Sequence, residues 1–419
     1  MLFGYRILIN FILFISPLII FFRLLKKKED PKRFKEKFCY FSKKKINGKL
    51  IWFHGASVGE ILSVIPLIKK FEKNKNIKQI LITSNTLSSS KIISNLNLKK
   101  TVHQFLPIDT SFHTNKFLNY WSPSIAIFID SEVWPNLITN IKRKNISLIL
   151  LNARITKKTF KRWIRFRSFA KNLFEKFDAC LAASKESKKY LKLLGSKNIK
   201  YIGNLKFSEN EENNLVLDNS LKNFLNSKKI WCASSTHNTE EKLSGMAHKR
   251  LKHKYKNLLT IIIPRHIDRT QNIIEEMKKL NLKVHVHNSL KEIKNDTDIY
   301  LVNTYGETKL FFKICKIIFL GGSVIKHGGQ NPLEAARYGC KILHGPNISN
   351  FKEIYQLLNK YKVSSKITNL NQLTKLIDNS FKNYPSSKNL KFKIKKLGDK
   401  ILKLTLKEIN FFINNYENK

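Results

Sequence analysis

The chain has 419 residues, 42% of them hydrophobic. This length is more than a single hydrophobic core ordinarily holds, so we predict two domains. Its formal net charge is +48, from 78 Lys and Arg against 30 Asp and Glu. The lysines are spread along the whole chain without the aromatic interleaving of RNA-binding modules, so we predict no nucleic acid and favour an anionic membrane or a phosphorylated lipid. Five widely spaced cysteines form no Cys-x-x-Cys pair, which argues against a disulfide framework and a zinc site.

The N-terminus is an apolar segment from Ile7 to Phe22 with basic residues on both sides. We predict a membrane anchor over residues 1–25, followed by a basic connector over 26–48. As a helix this segment is about 24 Å long, less than a hydrocarbon core of about 30 Å, so a spanning helix and an interfacial helix both stay open. The basic cluster behind it predicts that the rest of the chain lies on the cytoplasmic side.

Short apolar runs alternate with amphipathic segments along the rest of the chain, and a polar stretch at 208–229 interrupts them. The pattern predicts a helix at 61–71 and strands at 50–53, 79–83, 124–129, 147–151, 179–183, 230–233, 259–263, 284–287, 299–302, 317–320 and 341–344. This alternation indicates parallel sheets with helices on both faces. We therefore predict an α/β protein with two Rossmann-like domains, at 49–210 and 229–419, joined by a linker at 211–228. The last helix is free to pack back on the N-terminal domain.

In such sheets ligands bind beyond the carboxyl ends of the strands, which selects the segment His54–Glu60. Gly55, Ser57 and Gly59 match the nucleophile turn of serine hydrolases. In that fold several strands precede the serine, so we reject a hydrolase. Glu60 begins the next helix, where a carboxylate can serve as a general base or only complement the helix dipole. Both interpretations stay open at this point.

The richest motif of the C-terminal half is a glycine loop that follows the strand at 317–320. It contains residues typical of a phosphate loop running into a capped helix: Gly321, Gly322, Gly328, Gly329, Asn331 at the N-cap, Pro332 in the first turn and Glu334. We expect unpaired backbone N–H groups of the loop to face an anion, helped by the helix dipole. An ordinary strand-loop-helix connection is the alternative.

Three further groups of residues are candidates for ligand or metal binding. Arg265 directly follows the apolar run at 259–263, where a guanidinium suits a bidentate grip on phosphate, with a structural ion pair as the alternative. Asp296 and Asp298 resemble a metal-binding pair, but we interpret them as solvated residues at the start of a strand. His285 and His287 lack a third ligand nearby in the sequence. The sequence therefore predicts no metal site.

Taken in order, these segments resemble the 3-deoxy-D-manno-octulosonic acid (Kdo) transferases. The resemblance covers nearly the whole chain, through HGASVGE at 54–60, SEVWPN at 131–136, NARIT at 152–156, ASSTH at 233–237, PRH at 264–266 and GGSVIKHGGQNPLEAARYG at 321–339. It implies a glycosyltransferase B fold, with two Rossmann-like domains facing a cleft. It also implies an inverting, metal-independent transfer of Kdo from CMP-Kdo to a hydroxyl of the lipid A precursor (lipid IVA) in lipopolysaccharide assembly. CMP-Kdo is then a substrate, no cofactor is expected, and the enzyme works at the cytoplasmic face of the inner membrane.

The same resemblance implies roles for individual residues. Glu60 matches the general base and Glu132 a second acid near the acceptor. Residues in the C-terminal half are implied to bind the nucleotide and the donor sugar: Ser235, Thr236, His237, Arg265, Gly321, Gly322, Ser323, Gly329, Asn331 and Glu334. Of these, Glu334 is implied to contact the ribose. The chain departs from the family pattern at Gln330 and Ala335, which touch the nucleotide loop. Two rival functions remain: a transferase of the same fold that uses a UDP-sugar on a lipid, and a basic membrane adaptor without catalysis.

Overall fold

A computed structural model describes residues 1–209, 218–289, 292–383 and 387–415. The chain divides into two compact units: unit 1 contains Met1–Asn210 and Leu397–Lys419, and unit 2 contains Glu211–Lys396. Within the described residues each unit contains one parallel sheet of seven strands. The predicted α/β class with two Rossmann-like domains is confirmed.

Unit 1 is built from strands separated by helices. Its strands are β1 Leu50–His54, β2 Gln79–Ser84, β3 Thr101–Phe105, β4 Ile125–Ile129, β5 Ser147–Ala153, β6 Ala179–Ala182 and β7 Ile199–Tyr201. The helices of this region are α1 Leu2–Leu25, α2 Val58–Glu72, α3 Leu87–Ser94, α4 Ser111–Trp121, α5 Pro135–Arg143, α6 Lys157–Ile164, α7 Arg167–Phe174 and α8 Lys185–Leu193. The strand order is β3-β2-β1-β4-β5-β6-β7.

Unit 2 repeats this plan. Its strands are β8 Lys229–Thr236, β9 Leu258–Pro264, β10 Val284–Val286, β11 Ile299–Leu301, β12 Ile317–Leu320, β13 Lys341–His344 and β14 Ser364–Lys366. The helices from residue 219 onward are α9 Asn219–Asn226, α10 Glu240–Lys252, α11 Thr270–Lys279, α12 Thr308–Ile314, α13 Leu333–Arg337, α14 Lys352–Lys360, α15 Leu370–Lys382 and α16 Ser387–Asn414. The strand order is β10-β11-β9-β8-β12-β13-β14, and α16 belongs to unit 1 from Leu397 onward.

The order of strands fixes where each unit can bind a ligand. The first strand of each unit lies inside its sheet, with β1 between β2 and β4, and β8 between β9 and β12. Successive connections leave such a strand on opposite sides, which opens a crevice at the carboxyl ends. The ends of β1 and β4 therefore meet in unit 1, and the ends of β8 and β12 meet in unit 2.

The sequence pattern missed three strands, and all three lie at sheet edges: β3 and β7 in unit 1 and β14 in unit 2. An edge strand is covered on fewer sides, so it does not need a continuous apolar run. The predicted linker at 211–228 is also not simply a connection, because it contains α9 with Leu221 and Leu225 buried. Its residues 211–217 lie outside the described part, and the domain boundaries stay predictions.

The basic connector at 26–48 packs against unit 1. It forms a short 3₁₀ turn over Phe34–Phe38 with Glu36 buried. The Glu36 carboxylate accepts a hydrogen bond from the backbone N–H of Phe105 at 2.8 Å and pairs with Arg33 at 2.8 Å. A buried, fully paired carboxylate holds this segment against the sheet.

Helix α1 contacts unit 1 through polar side chains near its start. The Tyr5 hydroxyl donates to Asp109 Oδ2 at 2.7 Å, and Arg6 Nε donates to Asn136 Oδ1 at 3.0 Å. Burial raises the pKa of Asp109 to about 6, although the hydrogen bonds from Tyr5 and from the backbone of Asn136 and Leu137 favour its charged form. Among the described helices, α1 is the one that is long and apolar enough to cross a membrane.

The two sides of α1 differ in exposure. A stripe through Tyr5, Ile9, Ile12, Ser16 and Ile20 is partly or fully buried at helical spacing. The remaining surface carries large exposed apolar side chains: Phe3, Ile7, Leu8, Phe11, Phe14, Leu18, Phe21 and Phe22. One side of the helix is therefore covered by the protein, and the other is left for an apolar environment.

Candidate active site

Glu60 lies at the crevice of unit 1, in the first turn of α2. Its Oε2 accepts hydrogen bonds from the backbone N–H groups of Ala56, at 2.7 Å, and Ser57, at 3.4 Å. A Cβ on Gly55 would come within 3.1 Å of both Glu60 Cβ and Ile129 Cδ1, so a side chain here would require these neighbours to shift by a few tenths of an ångström. The carboxylate therefore caps its own helix and still lies at the carboxyl end of the sheet.

Two further carboxylates, Asp130 and Glu132, come from the end of β4 beside β1. Burial raises the pKa of Glu60, and the negative charges of Glu132 and Asp130 raise it further. Burial likewise raises the pKa of Asp130, whose Oδ1 accepts a hydrogen bond from Asn152 at 2.5 Å. Because Glu60, Asp130 and Glu132 are neighbours, their mutual repulsion favours retention of a proton within the cluster. A carboxyl group with a raised pKa is a stronger base once it is ionised.

Glu132 has a different environment from Glu60. Its Oε2 accepts from Trp134 Nε1 at 2.8 Å and lies 3.2 Å from Nε2 of His54, a fully buried ring. Burial alone would raise the pKa of Glu132, but the contacts with His54 and Trp134 outweigh it and lower the pKa. Nδ1 of His54 lies 2.9 Å from Thr83 Oγ1, which fixes the ring. Glu132 is therefore held ionised beside Glu60.

In unit 2 the glycine loop is bound to a buried glutamate, Glu240. One carboxylate oxygen accepts from the backbone N–H groups of His237 at 3.0 Å and Gly322 at 2.7 Å. The other accepts from those of Ser323 at 3.1 Å and Val324 at 2.9 Å. The expectation of unpaired N–H groups in this loop is therefore wrong for Gly322, Ser323 and Val324, because Glu240 already accepts them.

The same contacts explain two residues of the loop. A Cβ on Gly321 would come within 2.4 Å of the Ser235 carbonyl oxygen and 2.7 Å of Glu240 Oε2, so glycine is required at this position. Ser323 is fully buried, and its Oγ donates to the Leu320 carbonyl and accepts from the backbone N–H of Gly345 at 2.8 Å. Both residues hold the loop against β8 and β13.

Beside this loop lies a group of basic side chains. The His237 ring is 4.5 Å from that of His327 and 5.7 Å from that of His266. Burial lowers the pKa of His237 to about 4, and positive charge on His327, His266, Arg265 and Arg269 adds to the effect. Arg265 is exposed, and its side chain makes no ion pair among the described residues. This group is suited to an anion, whose binding would relieve the repulsion.

Comparison with known proteins decides the family. Residues 32–209 match the family model described as 3-Deoxy-D-manno-octulosonic-acid transferase (kdotransferase). A 3-deoxy-D-manno-octulosonic acid transferase of Rickettsia bellii is 35% identical over 406 residues, which cover 93% of this chain and 95% of the relative. The chain belongs to the Kdo transferase family. It is therefore a glycosyltransferase of lipopolysaccharide biosynthesis.

Other comparisons agree with this Kdo transferase assignment and with the fold. A relative from Haemophilus influenzae is 30% identical over 313 residues, covering 74% of this chain and 73% of the relative. The structure of UDP-GlcNAc 2-epimerase from Neisseria meningitidis, bound to UDP-GlcNAc, has a TM-score of 0.59 and 12% identity, covering 88% of this chain and all of that one. At this identity the likeness shows the fold.

The predicted site residues of the Kdo transferase fall into one group in each unit. Glu60 and Glu132 meet at the crevice of unit 1. In unit 2, the crevice gathers residues from the ends of β8, β9 and β12: Ser235, Thr236, His237, Arg265, Gly321, Gly322 and Ser323. Gly329 joins them, because its N–H donates to the Gly322 carbonyl at 2.7 Å. Glu334 lies on α13 with one oxygen 3.6 Å from Lys309 Nζ. Their roles in binding and catalysis stay predictions.

Two structural expectations for the C-terminal half are wrong. The helix after the loop begins at Leu333, and its N-cap is Pro332 instead of the predicted Asn331. It has only five residues, so its dipole gives an anion less support than expected. Asn331 still contributes, since its Oδ1 accepts from the Leu333 N–H at 3.2 Å. Asp298 is not solvated: it is 4% exposed and accepts from the backbone N–H of Lys283 at 2.9 Å. Within the described ranges no group of three or more His, Cys, Asp or Glu is placed to hold a metal ion.

Sequence reasoning missed Glu240 as part of the site and gave Asp130, directly after the predicted strand at 124–129, no role of its own. A signal for Glu240 was present, because it opens the first helix after the first strand of its unit, as Glu60 nearly does in unit 1. The departure at Gln330 is accommodated locally, with its Nε2 3.4 Å from His237 Nε2. Ala335 is fully buried in α13.

Proposed function

We propose that this Kdo transferase moves Kdo from CMP-Kdo to a hydroxyl of the lipid A precursor, with inversion at the anomeric carbon. Glu60 accepts the hydroxyl proton while the oxygen attacks and CMP departs. The observation that carries this proposal is the cluster of Glu60, Asp130 and Glu132 at the carboxyl ends of β1 and β4. There, burial and two neighbouring negative charges raise the pKa of Glu60, which strengthens it as a base.

Glu132 acts on this base through its charge. His54 and Trp134 hold it in the ionised form, so it opposes a second negative charge on Glu60 without competing for the proton. Two carboxyl groups with pKa values moved in opposite directions are the usual sign of divided roles at an active site. We assign proton transfer to Glu60 and electrostatic support near the acceptor to Glu132.

The donor side of the proposal concerns unit 2. The basic group around His237 and Arg265 supports a binding place for the CMP phosphate, and the loop held by Glu240 gives this place a fixed shape. Charge that develops on the departing phosphate meets Arg265 and the histidines, which stabilise it without a metal ion. Because phosphate favours the imidazolium form, CMP binding would raise the pKa of His237 from its low value. We keep Glu334 as the ribose contact.

We propose that α1 attaches the enzyme to the inner membrane with both units on the cytoplasmic side. Its exposed apolar side supports attachment, and its buried stripe, which runs from Tyr5 to Ile20, supports an interfacial position over a spanning one. This position keeps the crevice of unit 1 near a lipid acceptor.

The test is a reaction of the purified protein with CMP-Kdo and tetraacylated lipid A precursor, followed by mass spectrometry of the lipid. We expect a mass increase by whole Kdo units. Calorimetry with CMP and UDP supplies the control for the donor, with CMP bound more tightly. Tighter binding of UDP would favour the rival transferase, and binding of CMP without any transfer to lipid would favour the adaptor.

A further inference from the structure

Helix α6 carries a concentration of positive charge on its exposed side. Lys157, Lys158, Lys161, Arg162 and Arg165 line a concavity of about 510 Å³. All five side chains are exposed. Within the part of the chain that the structure describes, none of them makes a side-chain hydrogen bond or an ion pair. The helix itself buries no residue, so these side chains are not needed to cover a core.

This concentration differs from the general spread of lysine along the chain. No Asp or Glu occurs between Glu132 and Glu175, so the region has no acidic residue of its own. Four of the twelve arginines of the chain fall close together here: Arg154, Arg162, Arg165 and Arg167. A guanidinium offers a planar, weakly hydrated fork of donors that matches phosphate oxygens. The local chemistry therefore points to phosphate groups.

The apolar residues on and next to α6 indicate which kind of partner carries these phosphate groups. Phe160 and Trp163 are partly buried and pack against the core of unit 1, which fixes the orientation of the helix. Phe166 follows Arg165 directly and is 51% exposed. A basic helix flanked by an exposed aromatic ring is typical of segments that lie at a lipid headgroup layer. Nucleic acid fits less well, since a lone phenylalanine gives one stacking platform.

We propose that the α6 surface, defined as Lys157, Lys158, Lys161, Arg162 and Arg165, binds the phosphate groups of anionic phospholipids, with Phe166 inserted among the headgroups. The surface begins directly after β5, the neighbour of β4 in the sheet, so it starts at the edge that carries Glu60 and Glu132. Lipid binding at α6 therefore gives unit 1 a second attachment besides α1, next to the candidate acceptor site. This inference does not depend on the identity of the donor or the acceptor.

The experiment places an environment-sensitive fluorophore at residue 166 of the full chain, through Phe166→Cys. The five native cysteines are buried, so labelling is directed to the new thiol. Vesicles of phosphatidylcholine alone are compared with vesicles that also contain phosphatidylglycerol. We expect the emission to shift to the blue with the anionic vesicles only and to revert at high salt. Because the probe reports on residue 166, attachment through α1 does not produce the signal.

Two matched variants assign the signal. Replacement of the five residues of the α6 surface by Gln is expected to raise the lipid concentration for half-maximal shift about tenfold or more, since each basic residue near an anionic surface contributes. The control replaces five exposed lysines on and after α8 by Gln: Lys185, Lys188, Lys189, Lys192 and Lys197. It removes the same charge, and we expect a nearly unchanged response.

Three results would overturn the proposal. Equal losses in both variants would show that net charge alone attracts the protein. A full shift with phosphatidylcholine alone would show apolar insertion without phosphate recognition. A probe that stays exposed on vesicles but shifts with an unstructured RNA would assign the surface to nucleic acid. Circular dichroism of both variants keeps these outcomes separate from misfolding.

Discussion

Glu60 and Glu240 occupy related places in the two units, yet their surroundings differ. Each lies in the first turn of the helix that follows the first strand of its sheet, and each accepts backbone N–H groups. Glu240 is fully buried and accepts four such groups, including three from the loop after β12. Glu60 is partly exposed, accepts two, and faces two other carboxylates. The same position thus supplies a fixed support in unit 2 and a candidate base in unit 1.

The number of hydrogen-bond partners and the access of solvent separate the two roles. A carboxylate whose oxygens are filled by backbone donors has no position left for a substrate proton. One with fewer donors and like charges nearby retains such a position and gains basicity. Substitutions at Glu60, Glu240 and Glu132 test this distinction.

Glu60→Gln removes the proton acceptor and keeps the shape of the side chain. We expect single-turnover Kdo transfer to fall by about 10² to 10⁴ with little change in CMP affinity, because general-base catalysis is lost while unit 2 is untouched. Rapid-quench measurement of transfer, with CMP titration on the same sample, checks both parts. If Glu60 only caps α2, the variant instead loses about 0.3–1 kcal/mol of stability and transfers at a nearly normal rate.

Glu240→Ala leaves three buried N–H groups and one partly buried N–H group without an acceptor. We expect the free energy of unfolding to fall by about 3–5 kcal/mol and CMP affinity to fall with it, since the loop loses its support. Denaturant unfolding and CMP calorimetry give the two values. Glu240→Gln, which keeps one acceptor oxygen, is the matched control and should lose less of both. Normal CMP binding by the Ala variant would show that the loop holds its shape without Glu240.

Glu132→Gln removes one of the charges that raise the pKa of Glu60. That pKa should then fall, so Glu60 stays ionised to lower pH and the acidic limb of the rate profile moves to lower pH. The rate at neutral pH should drop by about tenfold or less, because the base is weaker. Asp178→Asn, at a carboxylate paired with Lys142 away from the cluster, should leave the limb in place. An unmoved limb in Glu132→Gln would separate Glu132 from Glu60.

Chelation gives the smallest expected effect. Transfer should proceed in EDTA at an unchanged rate, because we propose that Arg265 and the histidines near it stabilise the negative charge on the departing phosphate. The rate before and after dialysis against the chelator measures this. Loss of transfer that magnesium or manganese restores would contradict the prediction and require metal ligands in the site.

Sequence periodicity was sufficient for the centre of each sheet and insufficient at three of the four sheet edges, β10 being the edge strand that it predicted. Strands such as β4 and β12 are covered on both faces, so their residues are continuously apolar and easy to recognise. The edge strand β14 has the sequence Ser-Ser-Lys, which carries no such signal. Its place in the sheet is set by pairing with β13, which a local pattern does not report.

The site shows the same division. Glu60 and Glu132 were found because short motifs place them directly after predicted strands. The support by Glu240 was not found, because its acceptor role joins residues 82 to 84 positions apart in the chain. Likewise, the buried state of Asp298 depends on partners from α10, including His248 at 3.2 Å. Local sequence predicts which groups are present at a site, and tertiary contacts decide which of them are already occupied.

The docking of α1 has a consequence for the order in which the protein assembles. Tyr5 and Arg6 find their partners 104 and 130 positions later in the chain. During synthesis α1 therefore leaves the ribosome well before Asp109 and Asn136 exist, and it completes its contacts only after β4 and the start of α5 have been made. An affinity tag fused before Met1 would lie beside this late-closing contact.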